Sequence, residues 1–141
     1  MTLRRELTNM PQSDAKLLIV YNADTGMINA VLHAMHKALK PETYPCSLCA
    51  LTYGTVSMHG VWRRFLDALP LDVAFYHRDD YAEDFPEDQP QLPAILLQKA
   101  GEVPAVLIPA SKLDAMASLD VLMGSLEEKL VDQIGTRALP A

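Results

Sequence analysis

The two cysteines of this chain, Cys46 and Cys49, are the residues whose type and spacing most directly allow chemistry. Pro45 precedes them at a position typical of the first residue of a helix. The segment Cys46–Leu51 fits a short helical turn, in which residues three apart share a face, although a brief strand also fits it. If Cys46 lies in the first helical turn, the helix N-terminus stabilises its thiolate and lowers its pKa. The spacing then predicts dithiol redox chemistry, with Cys46 as the nucleophile.

Two other interpretations of the cysteine pair stay open. Small buried thiols also occur as inert hydrophobic groups, so packing alone accounts for the pair. Alternatively, Cys46, Cys49 and His36 form part of a zinc or iron site, with His33 or His59 as a further ligand. No second C-x-x-C or H-x-x-x-H pair in the sequence completes such a set. His36 is also the candidate acid or base of the redox hypothesis, although a structural hydrogen bond alone accounts for a histidine there.

A second candidate site lies where the first predicted strand ends. The apolar run Leu17–Tyr21 is typical of a strand buried on both faces, and a polar turn follows it. Asp24 or Thr25 suits the N-cap of the next helix, and Gly26 permits a close backbone approach. Capping alone accounts for these residues, whereas ligand binding at the carboxyl end of the strand is the functional alternative. The candidate pocket residues are Asp24, Thr25, Gly26, His77 and Pro93, with Arg78 near the same end.

The elements that must position these residues follow from hydrophobic periodicity. Apolar residues at helical spacing between Ile28 and Leu39 predict the first helix and place His36 at the boundary of its apolar face. Residues 79–90 hold six carboxylates and predict a solvated acidic loop with at most one short helix. The predicted elements are a strand at 17–21, a helix at 28–40, the cysteine turn, a helix at 58–69, a strand at 72–77, a hairpin at 93–108 and a helix from 118. The predicted organisation is a flexible arm at 1–15, a single domain at 16–134 with a cysteine-containing helical insertion at about 41–70, and a frayed tail at 135–141.

Composition narrows the classes of function. The chain is 50% hydrophobic with a formal net charge of −6, which excludes wholesale disorder and argues against nucleic-acid binding through phosphate contacts. No apolar run approaches the roughly 18–20 residues of a membrane span, and the start of the chain lacks the apolar segment of a secretory signal. These features predict a cytoplasmic protein that binds neither nucleic acid nor membrane, with a small molecule or another protein as its partner.

The element order and the segment LPAILLQKAGEV (92–103) resemble the thioredoxin-like fold. The resemblance implies an α/β domain with a central mixed sheet of about four strands, helices on both faces and a cis peptide bond before Pro93. Typical members carry Trp-Cys-x-x-Cys where the first strand meets the first helix, whereas this chain has ADTG (23–26) there. The comparison therefore predicts that any dithiol chemistry has moved to Cys46 and Cys49.

More narrowly, YNADTG (21–26), the pair His36-Lys37 and the C-x-L-C pattern of 46–49 resemble a family of short uncharacterised proteins. Its members sometimes carry a GTPase label, but this chain has no G-x-x-x-x-G-K-[ST] loop to hold phosphates, and the label is not adopted. Three classes of function remain. They are a thiol–disulfide redox protein with an unusually placed dithiol, a metal-binding module, and a non-catalytic interaction or adaptor domain.

Overall fold

The computed structural model describes residues 7–24, 26, 46–53 and 58–134. The predicted first helix, with His33 and His36, lies outside the described residues, as do Thr25, the first six residues and the predicted tail at 135–141. The elements are β1 (Lys16–Val20), α1 (Ser47–Thr52), α2 (Gly60–Asp67), β2 (Asp72–Tyr76), α3 (Arg78–Asp84), β3 (Ala94–Gln98), β4 (Ala105–Ile108), α4 (Ala110–Asp114) and α5 (Leu119–Ile134).

A four-stranded mixed sheet in the order β2-β1-β3-β4 forms the centre of the described structure. β1 pairs with β2 in parallel and with β3 in antiparallel orientation. β3 and β4 form the antiparallel hairpin that the sequence predicts. The register sets Val20 opposite Tyr76 on one side and opposite Ala94 on the other. The predicted α/β class with a mixed sheet of about four strands is therefore confirmed.

Alternate side chains of β1 pack on opposite faces of this sheet, as the pleat of a strand requires. Leu17 and Ile19 belong to the larger core, to which α1, α2, α4 and α5 also contribute side chains. Leu18 and Val20 belong to the smaller core, where Tyr81 of α3 packs. These four side chains have no solvent exposure, and burying each stabilises the fold by about 1.5–3 kcal/mol. The continuous apolar run of β1 thus reflects a strand that is buried on both faces.

The hairpin follows the sequence pattern closely. β3 begins directly after Pro93, and the peptide bond from Leu92 to Pro93 is cis, as the resemblance implies. Gly101 in the hairpin turn has a φ of +76°, a left-handed conformation that favours glycine. The second strand is shorter than its predicted span and begins at Ala105 rather than at Val103.

The acidic stretch forms one short helix, α3, as the prediction allowed. Its first turn holds Asp79 and Asp80, where carboxylates interact favourably with the helix N-terminus. The longest described helix, α5, has 16 residues. In the part of the chain that the structure describes, no helix is both long and apolar enough to cross a membrane.

Candidate functional site

Cys46 lies at the N-cap of α1, with extended backbone torsions of φ −146° and ψ 99°. Its Sγ accepts a hydrogen bond from the backbone N–H of Cys49 at 3.2 Å. The helical conformation of this segment is therefore confirmed over the alternative of a strand. The helix begins at Ser47, so the prediction that Pro45 is its first residue is wrong. A cysteine sulfur here replaces the oxygen acceptor that Ser, Thr, Asp or Asn usually provides at an N-cap.

The two thiols form one hydrogen-bonded unit. Both cysteines are free and have no solvent exposure. The Cys49 thiol donates to the Cys46 sulfur, and this bond is the main reason why the pKa of Cys46 lies below the ordinary value for a thiol. Burial opposes that shift, while the backbone amides of Asn22, Cys49 and Leu48 add to it.

The pKa of Cys49 moves in the opposite direction. Its bond to Cys46 and, after that, its burial raise the pKa far above the ordinary thiol value. The directions of the two shifts make Cys46, rather than Cys49, the thiol that loses its proton more readily. This division of roles is what a nucleophilic cysteine and its partner require.

The backbone amide of Asn22 brings Cys46 to the carboxyl end of β1. That amide donates to the Cys46 sulfur and stabilises its anionic form. Asn22 stands two positions beyond the end of β1. Cys46 and Cys49 are far from β1 in the sequence, but the fold brings Cys46 to the carboxyl end of that strand.

Tyr21 is the residue of this site that the sequence analysis did not single out. Its side chain is 1% exposed, and its hydroxyl has no hydrogen-bond partner among the described residues. Thr52 lies beside it, but the Thr52 hydroxyl donates its proton to the carbonyl of Leu48 at 2.8 Å. Burial is the main cause that raises the pKa of Tyr21, the nearby Thr52 side chain lowers it, and Tyr53, Cys49 and Cys46 raise it further. A signal did exist in the sequence, since a tyrosine that ends a buried strand must find a partner for its hydroxyl or leave it unsatisfied.

Aromatic rings surround Tyr21. The Tyr53 ring meets it edge-on with a centroid separation of 5.7 Å, and the Phe75 ring stacks on it at 6.4 Å. Burial raises the pKa of Tyr53 as well. These contacts hold the Tyr21 ring on the side of the sheet where α1 packs.

Only some of the residues of the predicted pocket at the turn after β1 contact one another. Arg78 Nε donates to Asp24 Oδ1 at 2.9 Å, and the Arg78 amide donates to the carbonyl of Ala23 at 2.8 Å. The ends of the parallel strands β1 and β2 are thereby joined. Both partners of the ion pair are about half exposed, at 54% and 45%. Gly26 has a φ of +85°, and a Cβ there would meet no described atom within 4 Å. The left-handed torsion of Gly26 is by itself a reason for glycine at this position.

His77 and Pro93 lie at the same end of the sheet. Pro93 directly precedes Ala94, which pairs with Val20 at the end of β1. The His77 ring lies 6.4 Å from the Tyr21 ring. Its Nδ1, however, lies 3.2 Å from Asp80 Oδ2 within the capping box of α3. Capping thus accounts for His77 without a ligand.

A metal site is not visible in the described ranges 7–24, 26, 46–53 and 58–134. No group of three or more His, Cys, Asp or Glu residues there is placed to hold a metal ion. His59 is exposed at the N-cap of α2. The proposed ligand His36 lies outside the described residues.

Comparison with known proteins adds no relative to these observations. No protein-family model, no curated protein and no solved structure matches the chain.

Proposed function

We propose that this chain is a thiol–disulfide redox protein that uses Cys46 and Cys49. The observation that carries the proposal is the capped thiol pair, in which Cys46 Sγ accepts a hydrogen bond from the backbone N–H of Cys49 at 3.2 Å. The bond from the Cys49 thiol to Cys46 also keeps the pKa of Cys46 low.

The proposed chemistry follows from the lower pKa of Cys46 and the higher pKa of Cys49. The Cys46 thiolate attacks one atom of an oxidised bond in the substrate, Cys46 Sγ becomes bonded to that atom, and the other atom leaves with the electron pair of the broken bond. The Cys49 thiol then loses its proton and attacks Cys46 Sγ, and the atom bonded to Cys46 leaves with its electron pair as the intramolecular disulfide forms. In total, two thiols lose two protons and two electrons to the oxidant. A dithiol reductant reverses the reaction.

A thioredoxin-like architecture is part of the same proposal. Support comes from the parallel pairing of β1 with β2, the β3–β4 hairpin and the helix α5 that follows it. The cis bond before Pro93 agrees with the resemblance. The position of Cys46 beside the Asn22 amide puts the dithiol at the end of the sheet where typical relatives have theirs.

The test is whether the native chain forms a reversible disulfide. The reduced protein is treated with diamide, and intact mass spectrometry and peptide mapping follow the thiols. We expect one intramolecular bond between Cys46 and Cys49 that dithiothreitol reduces again. The variants Cys46→Ser and Cys49→Ser should form none.

Urea-unfolded protein provides the control, because its thiols are accessible to any oxidant. If the unfolded chain forms the disulfide and the native chain does not, the thiols are inert packing groups, and a surface function becomes the better hypothesis. Elemental analysis of the purified protein distinguishes the metal module. About one equivalent of zinc or iron that blocks the reaction of both cysteines would contradict the redox proposal.

A further inference from the structure

The burial of the dithiol restricts what can react with it. Cys46 and Cys49 both have 0% exposure. Exchange with a protein disulfide requires the substrate sulfur, with a whole protein attached to it, to approach the attacking sulfur in line, and an enclosed thiolate leaves no room for so large a partner. A substrate of a few atoms can reach such a site through small fluctuations of the surrounding side chains. Accessibility therefore favours a small oxidant over a macromolecular disulfide.

The Tyr21 hydroxyl adds a second and independent observation. It is a buried donor beside the thiols with no hydrogen-bond partner in the described parts of the chain. Leaving such a hydroxyl unsatisfied costs about 1–3 kcal/mol. Buried unsatisfied groups in folded proteins call for an explanation, and a catalytic role is one of the recurring ones. The hydroxyl is suited to donate a hydrogen bond to an oxygen atom that enters the site.

We propose that the dithiol reduces small hydroperoxides, with hydrogen peroxide as the simplest substrate, and that Tyr21 donates a hydrogen bond to the leaving oxygen. The inference rests on the proposed redox function and names its substrate class. Cys46 would be the attacking nucleophile, and Cys49 would resolve the oxidised intermediate. The substitution Tyr21→Phe would keep the aromatic ring and remove the hydroxyl that donates the hydrogen bond.

The reaction balances without a metal or an organic cofactor. The Cys46 thiolate attacks one peroxide oxygen, the O–O bond breaks, and the released alkoxide or hydroxide takes up a proton to leave as an alcohol or water. Cys46 is thereby oxidised to a sulfenic acid. Cys49 then attacks the Cys46 sulfur, a second water leaves, and the disulfide forms. A dithiol such as dithiothreitol returns both cysteines to the reduced state.

The directions of the two pKa shifts suit each step. The lowered pKa of Cys46 supplies the thiolate that attacks. The raised pKa of Tyr21 keeps its hydroxyl protonated, so it remains a donor at neutral pH. Removing one preorganised donor to a developing oxyanion typically lowers a rate by about 10²–10³. For Tyr21→Phe we therefore expect at least about a tenfold loss in the rate of the peroxide step.

The experiment compares oxidation rates in the native and urea-unfolded protein, followed by rapid quenching and mass spectrometry. With hydrogen peroxide, the native chain should react faster, because the fold supplies the thiolate and the donor. With oxidised glutathione, the native chain should react more slowly than the unfolded chain, because burial hinders the larger disulfide. In Cys49→Ser, dimedone should trap the sulfenic acid on Cys46.

Tyr21→Phe is then measured against a matched control, Tyr76→Phe, whose hydroxyl bonds to Asp84 at a surface site. We expect the Tyr21 variant to lose at least about tenfold in peroxide rate. The control variant should keep the wild-type rate with both oxidants. Circular dichroism checks that each variant folds.

Two results would overturn the inference and leave the redox proposal intact. One is a native chain that forms the disulfide with diamide but reacts with hydrogen peroxide no faster than the unfolded chain. The other is a Tyr21→Phe variant with the wild-type peroxide rate, which would remove Tyr21 from the site. A native chain that forms no disulfide with any oxidant would overturn the redox proposal and the inference together. If Tyr21→Phe does not fold, absence of dimedone labelling in Cys49→Ser still refutes the sulfenic acid step.

Discussion

Replacing Tyr21 by phenylalanine tests whether its hydroxyl is truly unsatisfied, because the two side chains differ by that one oxygen. The ring itself is fully buried and keeps its contacts with Tyr53 at 5.7 Å and Phe75 at 6.4 Å. The variant therefore loses almost no apolar contact. It also loses no hydrogen bond among the described residues.

The magnitude follows from the cost of the buried hydroxyl. An unsatisfied buried polar group costs about 1–3 kcal/mol. Replacing Tyr21 by Phe at pH 7 should therefore raise the free energy of unfolding, by about 1 kcal/mol. This sign is unusual, because most substitutions at fully buried positions lower stability.

The same variant carries a pH signature. Burial raises the pKa of Tyr21 above its ordinary value of 10.0, so the unfolded chain loses this proton at a lower pH than the folded chain. The stability that the neutral form contributes is fully present below pH 10 and declines as the pH rises toward the folded pKa. Wild type should lose about 1.4 kcal/mol per pH unit from this group above pH 10. Phenylalanine has no proton to lose, so its advantage should grow by the same amount.

The assay is urea denaturation at pH 7, 10 and 11, followed by far-ultraviolet circular dichroism. Tyr76→Phe is the control, since it removes a hydroxyl that donates to Asp84 at 2.8 Å and should lower stability at pH 7 by about 0.5–1 kcal/mol. A Tyr21 variant that is less stable than wild type by more than about 1 kcal/mol would show that the hydroxyl has a partner in solution. An advantage that does not grow between pH 10 and 11 would contradict the raised pKa.

The remaining predictions concern the frame of the site, each measured as a change in the free energy of unfolding in urea. Gly101→Ala should cost about 1–2 kcal/mol, because the φ of +76° suits glycine. Its control, Gly124→Ala in the exposed face of α5, meets no atom within 4 Å of its Cβ among the described residues and should add about 0.5–1 kcal/mol. A loss at both glycines would refute the torsional argument. Asp80→Ala should cost about 1 kcal/mol, because this carboxylate accepts from the N-cap amide of α3; an unchanged midpoint would show that the capping box is weak. Asp24→Asn should cost less than about 1 kcal/mol, since its ion pair with Arg78 is half exposed, and a loss above 2 kcal/mol would reveal a further role of that carboxylate.

The strands of the sheet could be predicted from the sequence because the residues that mark them are close together in the chain. The continuous apolar run from Leu17 to Val20 marks β1, since each of these side chains is buried on one of two covered faces. Proline before β3 and glycine at Gly101 mark the limits of the hairpin strand. The register of β1 against β3 was not predicted; in the structure it pairs the two strands so that their apolar faces coincide.

The groups that surround the two cysteines could not be predicted from the sequence in the same way. Local sequence left Cys46–Leu51 open between a helix and a strand, because six residues contain too few turns to show a period. The amide that stabilises Cys46 belongs to Asn22, which precedes it by a long stretch of chain. Only packing brings these groups together. The thiol unit could therefore be named from the sequence, but its neighbours could not.

Tyr21 depends both on a local sequence signal and on packing between distant segments. Its side chain follows Leu17 and Ile19 in the alternation of β1, and it shares their core with Cys46 and Cys49. Strand alternation would have placed its ring on that face, but only the position of α1 turns a buried tyrosine into a neighbour of the thiols. A one-residue slip of β1 against β3 would move this ring to the opposite face. The strand register that holds the sheet together is therefore also the condition that keeps the hydroxyl beside the dithiol, so changes that weaken the pairing of β1 should lower peroxide reactivity before the sheet unfolds.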